Sequence, residues 1–380
     1  MPKVTNKLRP FLFFAIYRCY ETSLLHKFIY LHIVKQITMI QFQCDYSEGA
    51  HPHILELMAK TNLEQTVGYG EDHYCGRARE LIRDACNAPD ADVHFLVGGT
   101  QANATVISSI LRPYQGVLCA GTGHINVHET GAIEHGGHKV LALPSENGLL
   151  TAQNIRSAME EHLAEDGPEH TVQPGMVYIS FSTELGTVYS LSELEAISSV
   201  CREYGLPLFI DGARLGYGMA SEGADVTLAD IARLSDVFYI GGTKQGALFG
   251  EAVVIVSDAL KKDFRYCIKQ NGGMLAKGRL LGLQFIGLFE DGLYFRLSEH
   301  AVKQALRIRD AFKAIGCEFL VHSPGNQQFP ILDNALMDAL SAEFQFSVWK
   351  KIDVNHTAVR FCTSWATKQE SVDALIAALQ

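Results

Sequence analysis

The chain has 380 residues, of which 47% are hydrophobic and 19% charged, a balance typical of a soluble globular protein large enough for two domains. Its formal net charge of −10 argues against nucleic acid as a main partner. Nine cysteines, an odd number without a CxxC pair, argue against a disulfide framework and favour reduced thiols in a cytoplasmic protein.

The first 38 residues differ from the rest of the chain. They contain one acidic residue, Glu21, and six basic ones: Lys3, Lys7, Arg9, Arg18, Lys27 and Lys35. The apolar runs at 11–17 and 28–34 are separated by charges and are too short to span a membrane, and no small-residue cleavage site marks a signal peptide. We therefore expect residues 1–38 to be a non-globular upstream translation extension, with Met39 as the natural start. A basic membrane-associated anchor is the less favoured alternative.

Short apolar runs, glycine turns and helical patterns then alternate along the chain. In chain order the apolar runs read VHFLV, GVLCA, KVLAL, MVYISFS, LPLFID, VFYIGG and AVVIVS. Between two of them, the pattern at 191–205 predicts a helix capped by Ser192 and terminated by Gly205. The alternation predicts an α/β fold with a mostly parallel, doubly wound sheet in a large domain, residues 39–294. A long amphipathic pattern then opens a smaller α+β domain, residues 295–380.

Polar residues follow three of these runs, where a parallel sheet forms its ligand sites. Gly98 and Gly99 open a helical segment, Asp211 ends the run LFID, and Lys244 follows VFYIGG. A glycine turn that opens a helix presents backbone amides to an anion, yet neither GxGxxG nor GxxxxGKS/T occurs, so a dinucleotide or ATP site has weak support. Taken singly, each feature also has a structural explanation: a plain turn, a helix cap, an ion pair between Asp211 and Arg214, and a charged surface turn.

Pyridoxal 5'-phosphate is a cofactor that uses all of these groups together. It needs a lysine for its Schiff base, an acid on its pyridine nitrogen and an amide cradle for its phosphate. Asp211 suits the acid, because a carboxylate keeps the nitrogen protonated and the ring able to take up electrons from a carbanion at Cα. Arg214 suits bidentate binding of a substrate carboxylate.

Four segments, GGTQAN, GHINVHETGA, FIDGARLG and GGTKQGA, resemble the threonine aldolase and β-eliminating lyase family, which has the aspartate aminotransferase fold type, fold type I. The resemblance runs from about residue 40 to about residue 375. It implies a pyridoxal-phosphate-dependent lyase that cleaves the Cα–Cβ bond of a threonine-like β-hydroxy-α-amino acid to glycine and an aldehyde. The first alternative is β-elimination or racemisation with Lys244 as the base at Cα. The second is a non-catalytic binding protein of the same fold.

The same resemblance implies roles around the cofactor. Lys244 corresponds to the Schiff-base lysine, Asp211 to the partner of the pyridine nitrogen, and His124 to the histidine that lies over the cofactor ring. The residues that correspond to the phosphate cradle are Gly99, Thr100 and Gln101, with the hydroxyl of Thr243 in addition.

On the substrate side, Arg214 and Arg360 match arginines near the substrate carboxylate. Glu184, in the loop SFSTELGTVYS, stands where the family commonly has a histidine near the substrate hydroxyl. The catalytic base therefore stays open among His124, Glu184 and a water that they orient. Tyr69 matches a loop that reaches the site across a subunit interface, which implies a homodimer or homotetramer with shared active sites.

A zinc site is a competing interpretation of one cluster. Its members are His124, His128, Glu129, His135 and His138. A helical HExxH motif is absent, and His135 and His138 flank glycines instead of sharing one helical face. We therefore expect no metal site, with stacking at His124 and ordinary surface roles for the other histidines.

Overall fold

A computed structural model describes residues 39–380, so the prediction for residues 1–38 lies outside the described part of the chain. The strands of this part are β1 Ile40–Gln41, β2 Asp92–Leu96, β3 Gln115–Ala120, β4 Lys139–Leu143, β5 Gln173–Ser180, β6 Leu208–Asp211, β7 Val237–Gly241, β8 Glu251–Ile255, β9 Gln327–Gln328, β10 Ile331–Asp333, β11 Phe344–Gln345, β12 Ser347–Lys351 and β13 His356–Cys362. Its α-helices are α1 Pro52–Thr61, α2 His73–Ala85, α3 Gly99–Ile110, α4 His124–Val127, α5 Ala132–His135, α6 Ala152–Leu163, α7 Leu191–Tyr204, α8 Leu215–Met219, α9 Leu228–Leu234, α10 Asp258–Lys261, α11 Phe264–Gln270, α12 Arg279–Phe289, α13 Leu293–Ala314, α14 Asn334–Leu340 and α15 Gln369–Ala378. A 3₁₀ turn is formed by Pro168–His170.

A seven-stranded sheet forms the centre of the molecule, in the order β2-β8-β7-β6-β5-β3-β4. The strands β7, β6, β5, β3 and β4 run parallel to one another, and β8 lies antiparallel to both β7 and β2. The predicted α/β fold with a mostly parallel sheet is therefore confirmed.

Both faces of this sheet are covered, because successive residues of the central strands alternate between two apolar clusters. In β6, Phe209 packs in one cluster and Ile210 in the other, and Tyr239 and Ile240 do the same in β7. All four side chains are buried. A strand covered on two faces has a continuous apolar sequence, which explains the unbroken run in β7.

The carboxyl ends of six of the seven strands, all but β8, lie on one edge of the sheet. The strands β3, β4, β5, β6 and β7 share this edge because they are parallel. The strand β2 shares it because β8 is antiparallel to both β2 and β7. Asp211 ends β6 at this edge, and the segments that follow four of the other strands contain Gly98, His124, Glu184 and Lys244. Ligand sites of open α/β sheets form at such an edge.

A smaller sheet, in the order β10-β13-β12 with β9 also on β13, belongs to the carboxyl-terminal part of the chain. Its core includes Phe312, Phe344 and Phe361. Phe42 belongs to the same core, and β1 pairs in parallel with β11. The first described residues therefore pack with the carboxyl-terminal part, although they precede the large sheet in sequence.

Helix α13 crosses the predicted domain boundary, since Leu297 lies in the core of the large sheet and Ile308 in that of the smaller one. The division into residues 39–294 and 295–380 stays a prediction. Within the described residues, no helix is both long enough and apolar enough to cross a bilayer.

The start of helix α7 corrects one detail of the sequence analysis. Its cap is Ser190, whose hydroxyl accepts a hydrogen bond from the backbone N–H of Glu193, while the Glu193 carboxylate accepts one from the backbone of Ser190. The predicted cap Ser192 is wrong, because the helix begins at Leu191 and Ser192 already lies in its first turn; Glu193, three residues after Ser190, completes the reciprocal box. Gly205 ends the helix in the left-handed region, at φ 65°, as predicted.

Candidate active site

Lys244 lies in the turn after β7, at the edge where the strand ends converge. The hydroxyl of Tyr217 donates to its backbone carbonyl at 2.5 Å. Burial lowers the pKa of the Lys244 amine, and the positive charge of Arg214 lowers it further, against the opposing charges of Asp45 and Asp211. A lowered pKa favours the neutral amine, which is the form that attacks a carbonyl carbon.

Asp211 is the last residue of β6, and its buried carboxylate is held by four donors. Tyr178 and Tyr239 donate their hydroxyls at 2.6 and 2.5 Å, Asn103 donates at 3.0 Å, and so does the backbone N–H two residues on. Burial acts to raise the pKa of Asp211, but the charge of His124 and the tyrosine hydrogen bonds outweigh it and hold the pKa below its usual value. The carboxylate is therefore ionised, as a partner of a positively charged ring nitrogen must be.

His124 begins the short helix α4, after the turn that follows β3. Its Nδ1 lies 2.7 Å from Oε1 of Glu129, whose side chain is fully buried. Nδ2 of Asn103 donates to the same Glu129 oxygen at 2.7 Å and to Oδ2 of Asp211 at 3.0 Å. The imidazole is thus joined to Asp211 through two buried side chains. The sequence pattern indicates Glu129 only as a ligand in the zinc alternative, so it does not predict this hydrogen-bonded connection between His124 and Asp211.

The pKa of His124 reflects the same neighbours. Burial alone would lower it, but the hydrogen bond to Glu129 and the charges of Asp211 and Glu129 together raise it above its usual value, against the positive charge of Lys244. A raised pKa favours the imidazolium form.

The amino terminus of α3 offers backbone donors beside Asp211. Gly98 caps this helix in an extended conformation without a side-chain hydrogen bond. A Cβ on Gly99 would lie 3.0 Å from the hydroxyl of Tyr239, so a glycine keeps the helix start close to the tyrosine that binds Asp211. The backbone N–H groups of Gly99 and Thr100 and the helix dipole suit a phosphate.

Two side chains predicted for the phosphate cradle are engaged elsewhere. Nε2 of Gln101 donates to the carbonyl of Asn271 at 2.9 Å, and its side-chain oxygen accepts from a backbone N–H at 3.2 Å. The Thr243 hydroxyl donates to Oε1 of Glu251 at 2.7 Å. Gln101 therefore has only its backbone N–H to offer a phosphate, and the hydroxyl proton of Thr243 is committed to a carboxylate.

Arg214 forms a buried ion pair with Asp45, not with Asp211. Its Nε and Nη2 lie 2.7 and 3.0 Å from the two oxygens of Asp45, and Asn326 donates to the same carboxylate at 3.0 Å. Burial opposes the ionisation of Asp45, but the charges of Arg214 and Lys244 hold its pKa well below its usual range. Since these two bonds use only two of the five N–H donors of the guanidinium, both hydrogens of Nη1 and the second hydrogen of Nη2 remain to meet a substrate carboxylate.

Arg360 lies on β13, in the smaller sheet. It donates to Gln327 at 3.2 Å and to the carbonyl of Gln43 at 3.1 Å, and its guanidinium carbon lies 5.2 Å from the ring centre of Trp349. Its Nε is buried and has no partner among the described residues. The Arg360 guanidinium is therefore held in place, while its buried Nε–H stays unpaired among the described residues.

Glu184 lies next to the start of α4. Its Oε1 accepts hydrogen bonds from the backbone N–H of His124 at 2.9 Å and from the Ser180 hydroxyl at 2.7 Å. Burial raises the pKa of Glu184, and the charge of Asp211 adds to the rise, although the bond from Ser180 and the charge of His124 oppose it. A raised pKa suits a carboxylate for proton transfer near neutral pH.

His128 lies nearer to these groups than an ordinary surface role implies. Its exposed ring is 5.5 Å from that of His124, centre to centre. Partial burial of the His128 ring lowers its pKa, as do the positive charges of His124, Arg360 and Arg214. The spacing of four residues within GHINVH was the signal that could have placed the two imidazoles together.

Tyr69 contacts Lys269 and Arg265. It has a left-handed backbone, φ 61°, and a half-exposed ring 5.2 Å from Nζ of Lys269. Its carbonyl accepts a hydrogen bond from Arg265 at 3.4 Å. The residue therefore lies at the surface of the chain.

In the cluster considered for zinc, Oε1 of Glu129 is bonded to His124 and Asn103. Among residues 39–380, no group of three or more His, Cys, Asp or Glu side chains is arranged to hold a metal ion.

The chain matches the family described as Beta-eliminating lyase over residues 41–334. It belongs to this family. The low specificity L-threonine aldolase of Pseudomonas sp. is 33% identical to it over 341 residues, which are 89% of this chain and 96% of the relative. The low specificity L-threonine aldolase of Pseudomonas aeruginosa is 32% identical, over 88% of this chain and 95% of the relative.

Solved structures agree with this membership. The threonine aldolase of Leishmania major has a TM-score of 0.87 and 46% identity, over 89% of this chain and 98% of that one. The aspartate aminotransferase of Thermus thermophilus has a TM-score of 0.66 at 14% identity, over 96% of this chain and 97% of that one, and shows the fold alone. The predicted family and fold type I are confirmed.

Proposed function

We propose that this protein is a pyridoxal-phosphate-dependent aldehyde-lyase that cleaves the Cα–Cβ bond of a threonine-like β-hydroxy-α-amino acid to glycine and an aldehyde. The observation that carries the proposal is that Lys244 and Asp211 lie at the carboxyl ends of two adjacent parallel strands. The amine pKa of Lys244 is lowered, and the Asp211 carboxylate is ionised. The relatives named threonine aldolase support the reaction class.

The residues fit pyridoxal phosphate. Lys244 would hold its carbonyl carbon covalently, Asp211 its ring nitrogen, and the first turn of α3 its phosphate. His124 would lie over its ring. When bound, the cofactor supplies an electron sink for the electron pair released as the Cα–Cβ bond breaks.

Arginines and a carboxylate would act on the substrate. The N–H groups of Arg214 and Arg360 that have no protein partner would bind its carboxylate and so orient Cα. Glu184 would accept the β-hydroxyl proton at Oε2, because Oε1 already accepts two hydrogen bonds. The proton then stays on a buried acid while the aldehyde leaves.

The proposal extends to assembly, compartment and domains. We propose a homodimer or homotetramer in the cytoplasm, in which the surface loop of Tyr69 completes the site of a second copy. The half-exposed ring of Tyr69, whose cation–π partner in its own chain is Lys269, supports this role. Residues 39–294 would form the cofactor-binding domain and residues 295–380 the domain that brings Arg360 to the site.

A product assay on the purified, cofactor-loaded protein tests the reaction. The protein is given a panel of β-hydroxy-α-amino acids, and glycine and aldehyde are measured in equal amounts if the proposal holds. Ammonia and a 2-oxo acid without glycine would instead identify β-elimination. A protein that is not yellow, and that takes up no label on borohydride reduction, would contradict the cofactor assignment.

A further inference from the structure

Glu129 is a buried carboxylate in the candidate site with no part in the proposed reaction. Its side chain is fully buried, while that of its partner His124 is 35% exposed. Its Oε2 has no hydrogen-bond partner among the described residues. A buried, incompletely paired carboxylate is destabilising in general, so its presence beside an active-site imidazole points to a task other than stability.

The bond between His124 and Glu129 defines which imidazole nitrogen carries a proton. A carboxylate oxygen only accepts, so Nδ1, at 2.7 Å, donates to Oε1 of Glu129. In the neutral ring Nε2 is then the unprotonated nitrogen, and in the imidazolium Nε2 is a second donor. Either way Nε2 is the atom free to face a ligand.

Asn103 keeps Glu129 in its acceptor role. Its single NH₂ group donates one hydrogen to Glu129 and the other to Asp211, at 2.7 and 3.0 Å. Both donors of the amide are therefore used by carboxylates, which fixes the orientation of the amide. One continuous chain of hydrogen bonds therefore joins His124, Glu129, Asn103 and Asp211.

We propose that Glu129 is a positioning residue, which holds the proton on Nδ1 of His124, fixes the plane of its ring and keeps the imidazole positively charged over the cofactor site. That the group facing the imidazole is the cofactor rests on the proposed function. The effect of Glu129 on the protonation and orientation of His124 does not rest on it. A charged His124 serves as a donor at Nε2 and leaves acceptance of the hydroxyl proton to Glu184.

The charges that face His124 come from several elements. The negative groups are Glu129, Asp211 and Glu184, and the positive or titratable ones are Lys244 and His128. Replacing Glu129 with glutamine keeps an acceptor for Nδ1 but removes the nearest negative charge. Replacing it with leucine removes both, so the two variants separate charge from orientation.

Nitrogen-15 NMR of histidine-labelled, cofactor-free protein tests the proposal without any turnover, with the His124 signal assigned from its loss in His124→Phe. In the parent, His124 should be protonated at Nδ1 and should titrate above an ordinary histidine. In Glu129→Gln its titration should move down by about one pH unit, or about tenfold in proton affinity. In Glu129→Leu the neutral ring should also lose its preference for a proton on Nδ1.

Glu134→Gln is the matched control, since it removes an exposed carboxylate from the neighbouring helix α5 and should leave the His124 titration unchanged. An unchanged midpoint in Glu129→Gln would overturn the proposal. If neither Glu129 variant folds, the parent spectrum alone decides, because a neutral ring protonated at Nε2 contradicts the proposal.

In the loaded enzyme, Glu129→Gln should lower kcat with little change in KM and shift the pH profile. Absence of glycine and aldehyde with an intact NMR result would instead refute only the proposed function.

Discussion

The cofactor side and the substrate side of the site are built differently. On the cofactor side, Asp211 is held by side chains of the two neighbouring strands, Tyr178 of β5 and Tyr239 of β7, and by Asn103 of helix α3. On the substrate side, Arg214 is held by Asp45, which lies 169 residues away in sequence, and Glu184 is bonded to the backbone of His124, 60 residues away. The sheet itself therefore positions one side, whereas long-range contacts between loops position the other.

This difference implies that the two sides fail in different ways. A change on the cofactor side should remove chemistry and leave the fold intact, because the strand ends do not move. A change on the substrate side should alter selectivity, proton transfer or stability, because the side chains there also hold segments together.

The largest effect is expected for Lys244→Ala. Loss of the Lys244 amine should reduce turnover by about 10⁴-fold or more, the order found when a covalent catalytic group is removed, with an unchanged unfolding curve. Borohydride reduction of the loaded protein followed by peptide mapping should label Lys244. Lys277→Ala is the control, and labelling of Lys277 instead would break the assignment of the cofactor side.

Glu184→Gln should slow aldehyde release by about 10²–10⁴-fold, as expected when a general base is lost. Glutamine still accepts from His124 and Ser180, so the start of α4 should stay in place. Exchange of the Cα proton of glycine with solvent needs no β-hydroxyl chemistry and should be much less affected. Equal losses in both reactions would mean that Glu184 only shapes the pocket.

The pH profile sharpens the same prediction. Because burial raises the pKa of Glu184, the parent enzyme should lose aldehyde release as the pH falls through this raised value, at a higher pH than for an ordinary glutamate. The acidic limb should be missing in Glu184→Gln.

Asp45→Asn should reduce the free energy of unfolding by about 3–5 kcal/mol, because it leaves the buried guanidinium of Arg214 without its counter-charge. The folded pKa of Asp45 is depressed, so its contribution to stability is complete above the usual aspartate pKa and is lost as the pH falls towards the folded value. Urea unfolding across acidic pH should therefore show a weaker dependence in this variant.

The exposed pair of Arg156 and Glu203 gives the matched control for that measurement, since Glu203→Gln should change stability little. An equally small effect for Asp45→Asn would show that the substrate side does not depend on this buried pair.

Asp211→Asn should have the smallest effect of the four. Asparagine keeps the shape of the side chain but cannot accept from all four of the donors that bind the carboxylate, and loss of one charge-assisted hydrogen bond is worth about 1.5–3 kcal/mol, or roughly 10- to 100-fold in rate. The loss should appear in kcat, with the cofactor still bound and still yellow. Turnover equal to that of the parent would contradict the role of the carboxylate.

The sequence predicted the cofactor side well for a physical reason. Strands buried on both faces have unbroken apolar runs, and polar residues that follow such runs must meet at one edge of a parallel sheet. Lys244 and Asp211 could therefore be located without knowing any tertiary contact.

The remaining contacts could not be predicted in this way. Nothing in the local pattern around Asp45 shows that its partner is Arg214, or in that around Glu129 that Asn103 of α3 binds its carboxylate. The side chains of Gln101 and Thr243 lie within correctly recognised motifs, yet their hydrogen bonds go to Asn271 and Glu251. Side-chain direction is decided by neighbours that are distant in sequence.

The pairing of β1 with β11 has a consequence for the order of folding during synthesis. The first described strand finds its partner at residues 344–345, and the carbonyl of Phe42 accepts its hydrogen bond from Cys362 at 2.8 Å. The ribosome makes these partners more than 300 residues later, so the large sheet can assemble while Asp45 still lacks its final anchorage. The Arg214 guanidinium therefore gains its ion pair with Asp45 late in synthesis. Asp45 is translated first, but the segment that carries it is fixed in place only when the chain is almost complete.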